Sequence, residues 1–208
     1  MTPEEILARI AAEVEVCHNC DLHYSRKNGV PGEGPADADI MFIGEGPGFH
    51  ENEQGRPFVG AAGSFLEELL GQIGMKREDV FIGNVVKCRP PSNRDPQADE
   101  LAACASYLDR QIQAINPKVI VTLGRFSMAK FLPNARISQA HGQSMQVRGR
   151  LIVPMYHPAA ALHQPSLRAV IERDFAQLPE LIARAADAPE YVEETPKETS
   201  EPQQLSMF

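Results

Sequence analysis

The first residue with chemical potential in this chain is a carboxylate at the mouth of a glycine-rich turn. Ile40-Met41-Phe42-Ile43 is an apolar run of strand length, and Gly44-Glu45-Gly46-Pro47-Gly48 breaks it. Glycines there let a ligand approach the main chain closely, with Glu45 beside the approach. Further on, Gly55-Arg56-Pro57-Phe58-Val59-Gly60 sets one aromatic ring in a second Gly/Pro-rich loop, before a helical pattern from Ala61 to Ile73. A carboxylate and a loop-borne ring so arranged suit a flat ligand. The turn lacks the third glycine of a dinucleotide fingerprint, and no Gly-Lys-Ser/Thr follows as in a phosphate-binding loop.

The four cysteines are the second chemical set. Cys17 and Cys20 form a C-x-x-C; 67 residues separate Cys20 from Cys88, and 15 separate Cys88 from Cys104. Two thiolates at C-x-x-C spacing suit one metal or cluster, whereas buried free thiols are the plain alternative. Four-cysteine zinc sites usually come as two close pairs. The wide second half fits an iron–sulfur cluster at least as well.

These residues need a scaffold, and the apolar runs supply one. Thr2 and Pro3 open a helix over residues 3–16. Val80-Phe81-Ile82-Gly83-Asn84-Val85-Val86 reads as a second strand, and the proline-rich stretch 87–96 after it excludes helix. A helix over 98–115 leads to a third strand at 118–123, ended by Gly124 and followed by a short helix at about 125–131. A fourth strand, 151–156, ends at His157-Pro158, and a last amphipathic helix covers 165–185. Strands that are apolar on both faces and alternate with helices predict a three-layer α/β/α fold around a four-stranded parallel sheet. Ligands bind such sheets beyond the carboxyl ends of the strands. Those ends are marked by Glu45-Gly46, Asn84, Gly124 and His157.

The totals bound the remaining classes. The chain has 208 residues, 43% hydrophobic, with a formal charge of −8. Residues 187–208 carry −5 of that charge and the other 186 residues only −3, so an anionic partner is neither excluded nor required. The division predicted is a globular domain over 1–186 and an acidic, disordered tail over 187–208. No apolar run is long enough for a bilayer, and residues 1–16 have no apolar export core. A cytoplasmic monomer with reduced thiols is expected.

The ordered set Gly44-Glu45-Gly46-Pro47-Gly48, Gly55-Arg56-Pro57-Phe58-Val59-Gly60, Asn84-Val85-Val86-Lys87-Cys88-Arg89-Pro90-Pro91 and His157-Pro158-Ala159, with the four cysteines, resembles the family 4 uracil-DNA glycosylases. The resemblance spans roughly residues 5–183. It implies a uracil-DNA glycosylase-like fold, a structural four-iron, four-sulfur cluster on Cys17, Cys20, Cys88 and Cys104, and release of uracil from DNA without Schiff-base chemistry. By the same resemblance Phe58 stacks on the extruded base and Asn84 reads its pyrimidine edge. His157 stabilises the departing anion at O2, and Glu45 orients water or stabilises the cationic sugar. Gly46 stands where better-known glycosylases have an aspartate, and Glu51 would exclude the thymine methyl. DNA contacts fall to Arg56, Arg89, Ser92, Asn93, Arg94, Arg125 and Arg168, with Leu162 as a wedge. A nucleic-acid-binding module without catalysis and a glycosylase for other deaminated bases are the alternatives. The ending Gln203-Gln204-Leu205-Ser206-Met207-Phe208 resembles the bacterial sliding-clamp-binding peptide. Gln204, Leu205, Met207 and Phe208 would be its anchors.

Overall fold

The computed structural model describes residues 1–186. The acidic tail and the clamp peptide expected at Gln204–Phe208 lie outside the described residues. Helix α1, Pro3–Glu15, begins at a reciprocal cap. Thr2 Oγ1 accepts from the Glu5 amide at 3.3 Å, and the Glu5 carboxylate accepts from the Thr2 amide at 2.9 Å. A single turn, α2 (Leu22–Ser25), precedes strand β1, Ile40–Gly44. Then come α3 (Phe49–Gln54), α4 (Ala61–Gln72), β2 (Phe81–Asn84), α5 (Ala98–Ile115), β3 (Val119–Leu123), α6 (Arg125–Phe131) and α7 (Ile137–Ala140). The chain finishes with β4 (Met145–Val147), β5 (Arg150–Met155), α8 (Pro158–His163), α9 (Arg168–Ala176) and α10 (Leu178–Ala186).

The sheet runs β2-β1-β3-β5-β4. β1 pairs in parallel with β2 and β3, and β3 in parallel with β5. Because side chains alternate across a strand, the sheet has a separate core on each face. Phe42, Val121 and Val153 pack with Phe65, Leu66, Leu69 and Phe175 of α4 and α9. Met41, Ile43, Ile120 and Ile152 pack with Leu108, Ile112 and Ile115 of α5. Each such side chain contributes about 1.5–3 kcal/mol when fully buried, which ties both helical layers to the sheet. A third cluster, Ile10, Val14 and Leu22 with Val86 and Tyr107, fastens α1 and α2 against α5.

The predicted three layers are present, with corrections. The sheet has five strands, not four, because β4 adds an antiparallel edge to β5. The connecting Arg148 and Gly149 have φ of 49° and 74°, the left-handed pair that a tight hairpin requires. The last helix expected over 165–185 is broken. A 3-10 turn at Pro165–Leu167 leads into α9, and α10 starts afresh at Leu178. Pro179 lacks an N–H, and within one continuous helix its ring would strike the carbonyl of Phe175; it is tolerated in the first turn of a new helix. The stretch between the two glycine-rich loops contains α3. Among the described residues no helix is long and apolar enough to cross a membrane.

The strand order positions the site. From β1 the chain moves to β2 on one side, then crosses to β3 on the other, so the carboxyl end of β1 lies at a switch point of the sheet.

Candidate active site

Beyond those carboxyl ends lies a cleft of about 500 Å³. Glu45, Gly46, Glu51, Phe58, Asn84 and His157 all line it, as do Asn93 and Arg94. Every catalytic and base-binding residue expected from the sequence is therefore gathered in one place.

Asn84 is the last residue of β2 and only 2% exposed. Among the described residues its buried Oδ1 has no hydrogen-bond partner. A buried acceptor left unpaired costs about 1–3 kcal/mol, so this atom is poised for a donor from a ligand. Phe58 lies close by. A Cβ added to Gly44 would stand 2.5 Å from Asn84 Oδ1 and 2.7 Å from Phe58 Cζ. Gly44 thus lets the amide and the ring converge.

Phe58 is held in a strained backbone, with φ of 50°, a region that bulky residues rarely adopt. Arg77 holds it there. Its guanidinium donates to the Phe58 carbonyl at 2.8 Å and to the Pro57 carbonyl, and it pairs with Glu33 at 2.6 Å. Gly63 is the other support, since a Cβ there would lie 2.0 Å from the Phe58 carbonyl oxygen. The Phe58 and His157 rings are stacked, centroids 5.4 Å apart and planes inclined by 24°.

His157 caps α8. Its Nδ1 accepts from the Ala159 amide at 3.1 Å, which leaves the proton of the neutral ring on Nε2. Burial lowers its pKa to about 4, against the opposing pull of the Glu51 carboxylate. At neutral pH the ring is an uncharged donor. Glu45 shifts the other way: burial raises its pKa, Asp95 adds to the rise and Arg125 opposes it.

Glu51 does something the sequence did not suggest. Its Oε1 accepts from the amides of Val59 and Gly60 at 2.9 and 2.8 Å, and its Oε2 from Gly48 at 3.1 Å. The carboxylate ties the two glycine-rich loops together.

The expected DNA-contacting residues divide. Arg56 is paired with Glu33, Arg94 with Glu100, Arg125 with Asp95, and Arg168 with Glu68 and Glu172. Their charges are spent largely within the protein. Arg89 donates instead to Asn93 Oδ1 at 2.8 Å. Ser92 and Asn93 both have φ of 55° in the loop after β2, and Leu162 is exposed on α8. Sequence reasoning missed Arg77, which acts through the carbonyls of Pro57 and Phe58, and Glu33, whose carboxylate pairs with Arg77, as well as Asp95 and His163, which also line the cleft.

On the other side of α5, Cys17, Cys20, Cys88 and Cys104 line a single cavity. Donors reach three of the sulfurs: Arg26 to Cys88 at 3.3 Å, the Lys87 amide to Cys104 at 3.2 Å and the Asn19 amide to Cys17 at 3.5 Å. Burial raises the pKa of Cys20, Cys88 and Cys104, the last to about 11. As thiols they are uncharged, so their ligation would release protons. Among the described residues no three His, Cys, Asp or Glu side chains are grouped to hold a single metal ion. A donor set of four sulfurs around one cavity, with N–H groups aimed at them, suits a cluster.

The family model for the uracil DNA glycosylase superfamily matches residues 31–178. The chain is 48% identical over 187 residues to a type-4 uracil-DNA glycosylase of Sulfurisphaera tokodaii, covering 84% of each chain. It is 47% identical over 190 residues to a type-4 uracil-DNA glycosylase of Archaeoglobus fulgidus, covering 86% of this chain and 95% of that one. A Thermotoga maritima protein of the same name is 43% identical over 188 residues, 88% of this chain and 98% of its own. With the strand-end cleft and the four gathered cysteines, these similarities lead to one conclusion: the chain belongs to the uracil-DNA glycosylase superfamily, in its type-4 branch.

Proposed function

We propose that the cleft receives a uracil extruded from DNA and that this enzyme hydrolyses its N-glycosidic bond, leaving an abasic site for repair. The observation that carries the base assignment is the unpartnered Asn84 Oδ1. Uracil offers N3–H to that acceptor and O4 to the amide N–H. Cytosine has no proton on N3 and an amino group at position 4, so both contacts would be mismatched. Extrusion costs a few kcal/mol, and the face of Phe58 compensates by stacking.

The remaining groups act on the breaking bond. As C1′–N1 breaks, the electron pair leaves with uracil and positive charge grows on the sugar. His157 donates Nε2–H to O2 of the departing anion, a contribution of about 3–4 kcal/mol for a well-aimed donor. Glu45 stabilises the cationic sugar and orients the water whose oxygen bonds to C1′. Glu51 bears on thymine through the loops it ties, which hold the wall facing C5 against the extra methyl. Gly46 lets the turn lie close against Val86, since a Cβ there would meet Val86 Cγ2 at 2.7 Å. Arg89, Ser92 and Asn93 contact the DNA backbone from one lip, and Leu162 fills the space the base vacates from the other.

Cys17, Cys20, Cys88 and Cys104 would hold a four-iron, four-sulfur cluster, which would take no part in base excision and would tie the segment after α1, the loop after β2 and α5 together. The working form is a cytoplasmic monomer. Its tail tethers it to the sliding clamp through Gln204, Leu205, Met207 and Phe208.

Base release from a uracil-containing oligonucleotide, read as strand scission after alkali, tests the assignment. Wild type should cut at uracil and spare thymine and cytosine. Glu45→Ala and His157→Ala should slow release by two or more orders of magnitude each, while Asn84→Asp should weaken uracil release and admit cytosine. No cleavage by brown protein that retains its visible absorbance would overturn the reading, and wild-type rates for Asn84→Asp would overturn the role of that residue.

A further inference from the structure

Phe49, the first residue of α3, is a large apolar side chain left 53% exposed. It follows Gly48, which lines the cleft. The guanidinium of Arg89 lies over its ring, 5.4 Å from the centroid, and His50 meets the ring edge-on at the same centroid distance. Arg89 is in turn bonded to Asn93, another lining residue. Among the described residues Arg89 forms no ion pair with a carboxylate, unlike Arg56, Arg94, Arg125 and Arg168. At the lip of the cleft, then, an exposed ring is combined with an uncompensated cation.

That pairing has a chemical match. A lone exposed aromatic needs no explanation, but one packed against a guanidinium with no carboxylate partner among the described residues is the combination that single-stranded nucleic acid uses: bases stack on rings and phosphates meet arginine. The cleft already accounts for the extruded base through Phe58 and Asn84. We propose that Phe49 and Arg89 form a second platform, which stacks the nucleobase next to the uridine in the strand and neutralises its phosphate. The ring tolerates any base, because every base has a π-face, so the platform adds affinity without adding sequence preference. It acts on the unpaired or distorted part of the strand around the lesion. The inference rests on the cleft being the uracil-DNA site.

The test uses oligonucleotides carrying 2′-fluoro-deoxyuridine, whose glycosidic bond resists cleavage, with 2-aminopurine placed 5′ or 3′ to it. Wild-type protein should quench the 2-aminopurine at one of the two positions. Phe49→Ala should lose that quenching and bind roughly 5- to 150-fold more weakly, the range a single base–aromatic stack commands, and Phe49→Trp should restore both. Replacing the stacked base by a tetrahydrofuran spacer should erase the difference between wild type and Phe49→Ala. Quenching and affinity unchanged in Phe49→Ala, or a penalty that persists with the spacer, would overturn the platform. A parallel uracil-release assay separates the two readings: a wild type that cleaves uracil while Phe49→Ala behaves identically sinks only the platform, whereas a wild type that cleaves nothing sinks the function beneath it.

Discussion

Glu45 and His157 face the same cleft with pKa values displaced in opposite directions; the displacement of His157 suits the role proposed for it, and that of Glu45 opposes its own. The role proposed for Glu45 at a cationic sugar needs a carboxylate, yet burial and Asp95 favour its protonated form. The acid limb of the rate should therefore fall above the ordinary carboxylate range, with activity lost as pH drops through the raised pKa. Asp95→Asn should move that limb to lower pH and Arg125→Ala to higher pH, read from single-turnover base release across the acid range. His157 should add no inflection near its unperturbed 6.5, since its folded value of about 4 keeps it neutral. An inflection near 6.5 that disappears in His157→Gln would contradict this. The signs for stability follow from linkage. A histidine with a lowered folded pKa stabilises the fold above 6.5, and that contribution is lost as pH falls toward 4. Glu45, with a raised folded pKa, weakens the fold once the unfolded chain's carboxyl ionises, a cost borne for function.

At the scale of elements, β2 and α5 are joined by a buried lysine. Lys87 is 1% exposed; its ammonium donates to the Asn84 carbonyl at 3.0 Å and to Gln111 Oε1 at 2.7 Å. Its own amide donates to Cys104 Sγ. The residue thus links the end of the strand that presents Asn84 to the helix that carries a cysteine. Burial brings its pKa down to about 8, still mostly charged at neutral pH. Lys87→Met should lower the urea midpoint by an amount equivalent to about 1–3 kcal/mol, the worth of a charged buried hydrogen-bonding group. It should also reduce kcat for uracil more than it raises KM, because Asn84 loses its backbone anchor. An unchanged midpoint with unchanged kcat would show that the link carries nothing. Elements like these were legible where one residue type dominates: apolar runs gave β1, β2, β3 and β5, and Gly, Asn and His marked their ends. β4 was hidden because Met145–Val147 is three residues long and only partly buried, so no apolar alternation betrays it. α3 was hidden because Phe49–Gln54 is polar and lies between two glycine-rich loops. The cleft residues were legible because the residues themselves touch the ligand space. Arg77 was not, because it acts on Phe58 through carbonyls, and backbone contacts leave no pattern in the sequence.

For the whole molecule, the charge is unevenly divided. Residues 1–186 carry −3 and residues 187–208 carry −5. Within the first part most arginines near the cleft are already paired with carboxylates, so long-range attraction to DNA is weak, and an enzyme that searches for rare uracils gains from another way of staying close. A linker ending in Gln204-Leu205-Ser206-Met207-Phe208 would supply it. Under the proposed tether, docking of this short apolar peptide on the clamp would turn later encounters with the same DNA into intramolecular events at an effective concentration on the order of millimolar. The body needs no contact with the clamp for this to work. Deleting residues 203–208 should therefore abolish co-elution with purified clamp, leave uracil release from a free oligonucleotide unchanged, and remove any acceleration on DNA loaded with clamp. Met207→Leu, which supplies the leucine usual at that position in the clamp-binding peptide this ending resembles, should tighten clamp binding without altering the rate on free oligonucleotide. Clamp binding that survives the deletion would place the contact on the folded body, and a fall in free-oligonucleotide activity would mean that the tail acts at the cleft rather than as a tether.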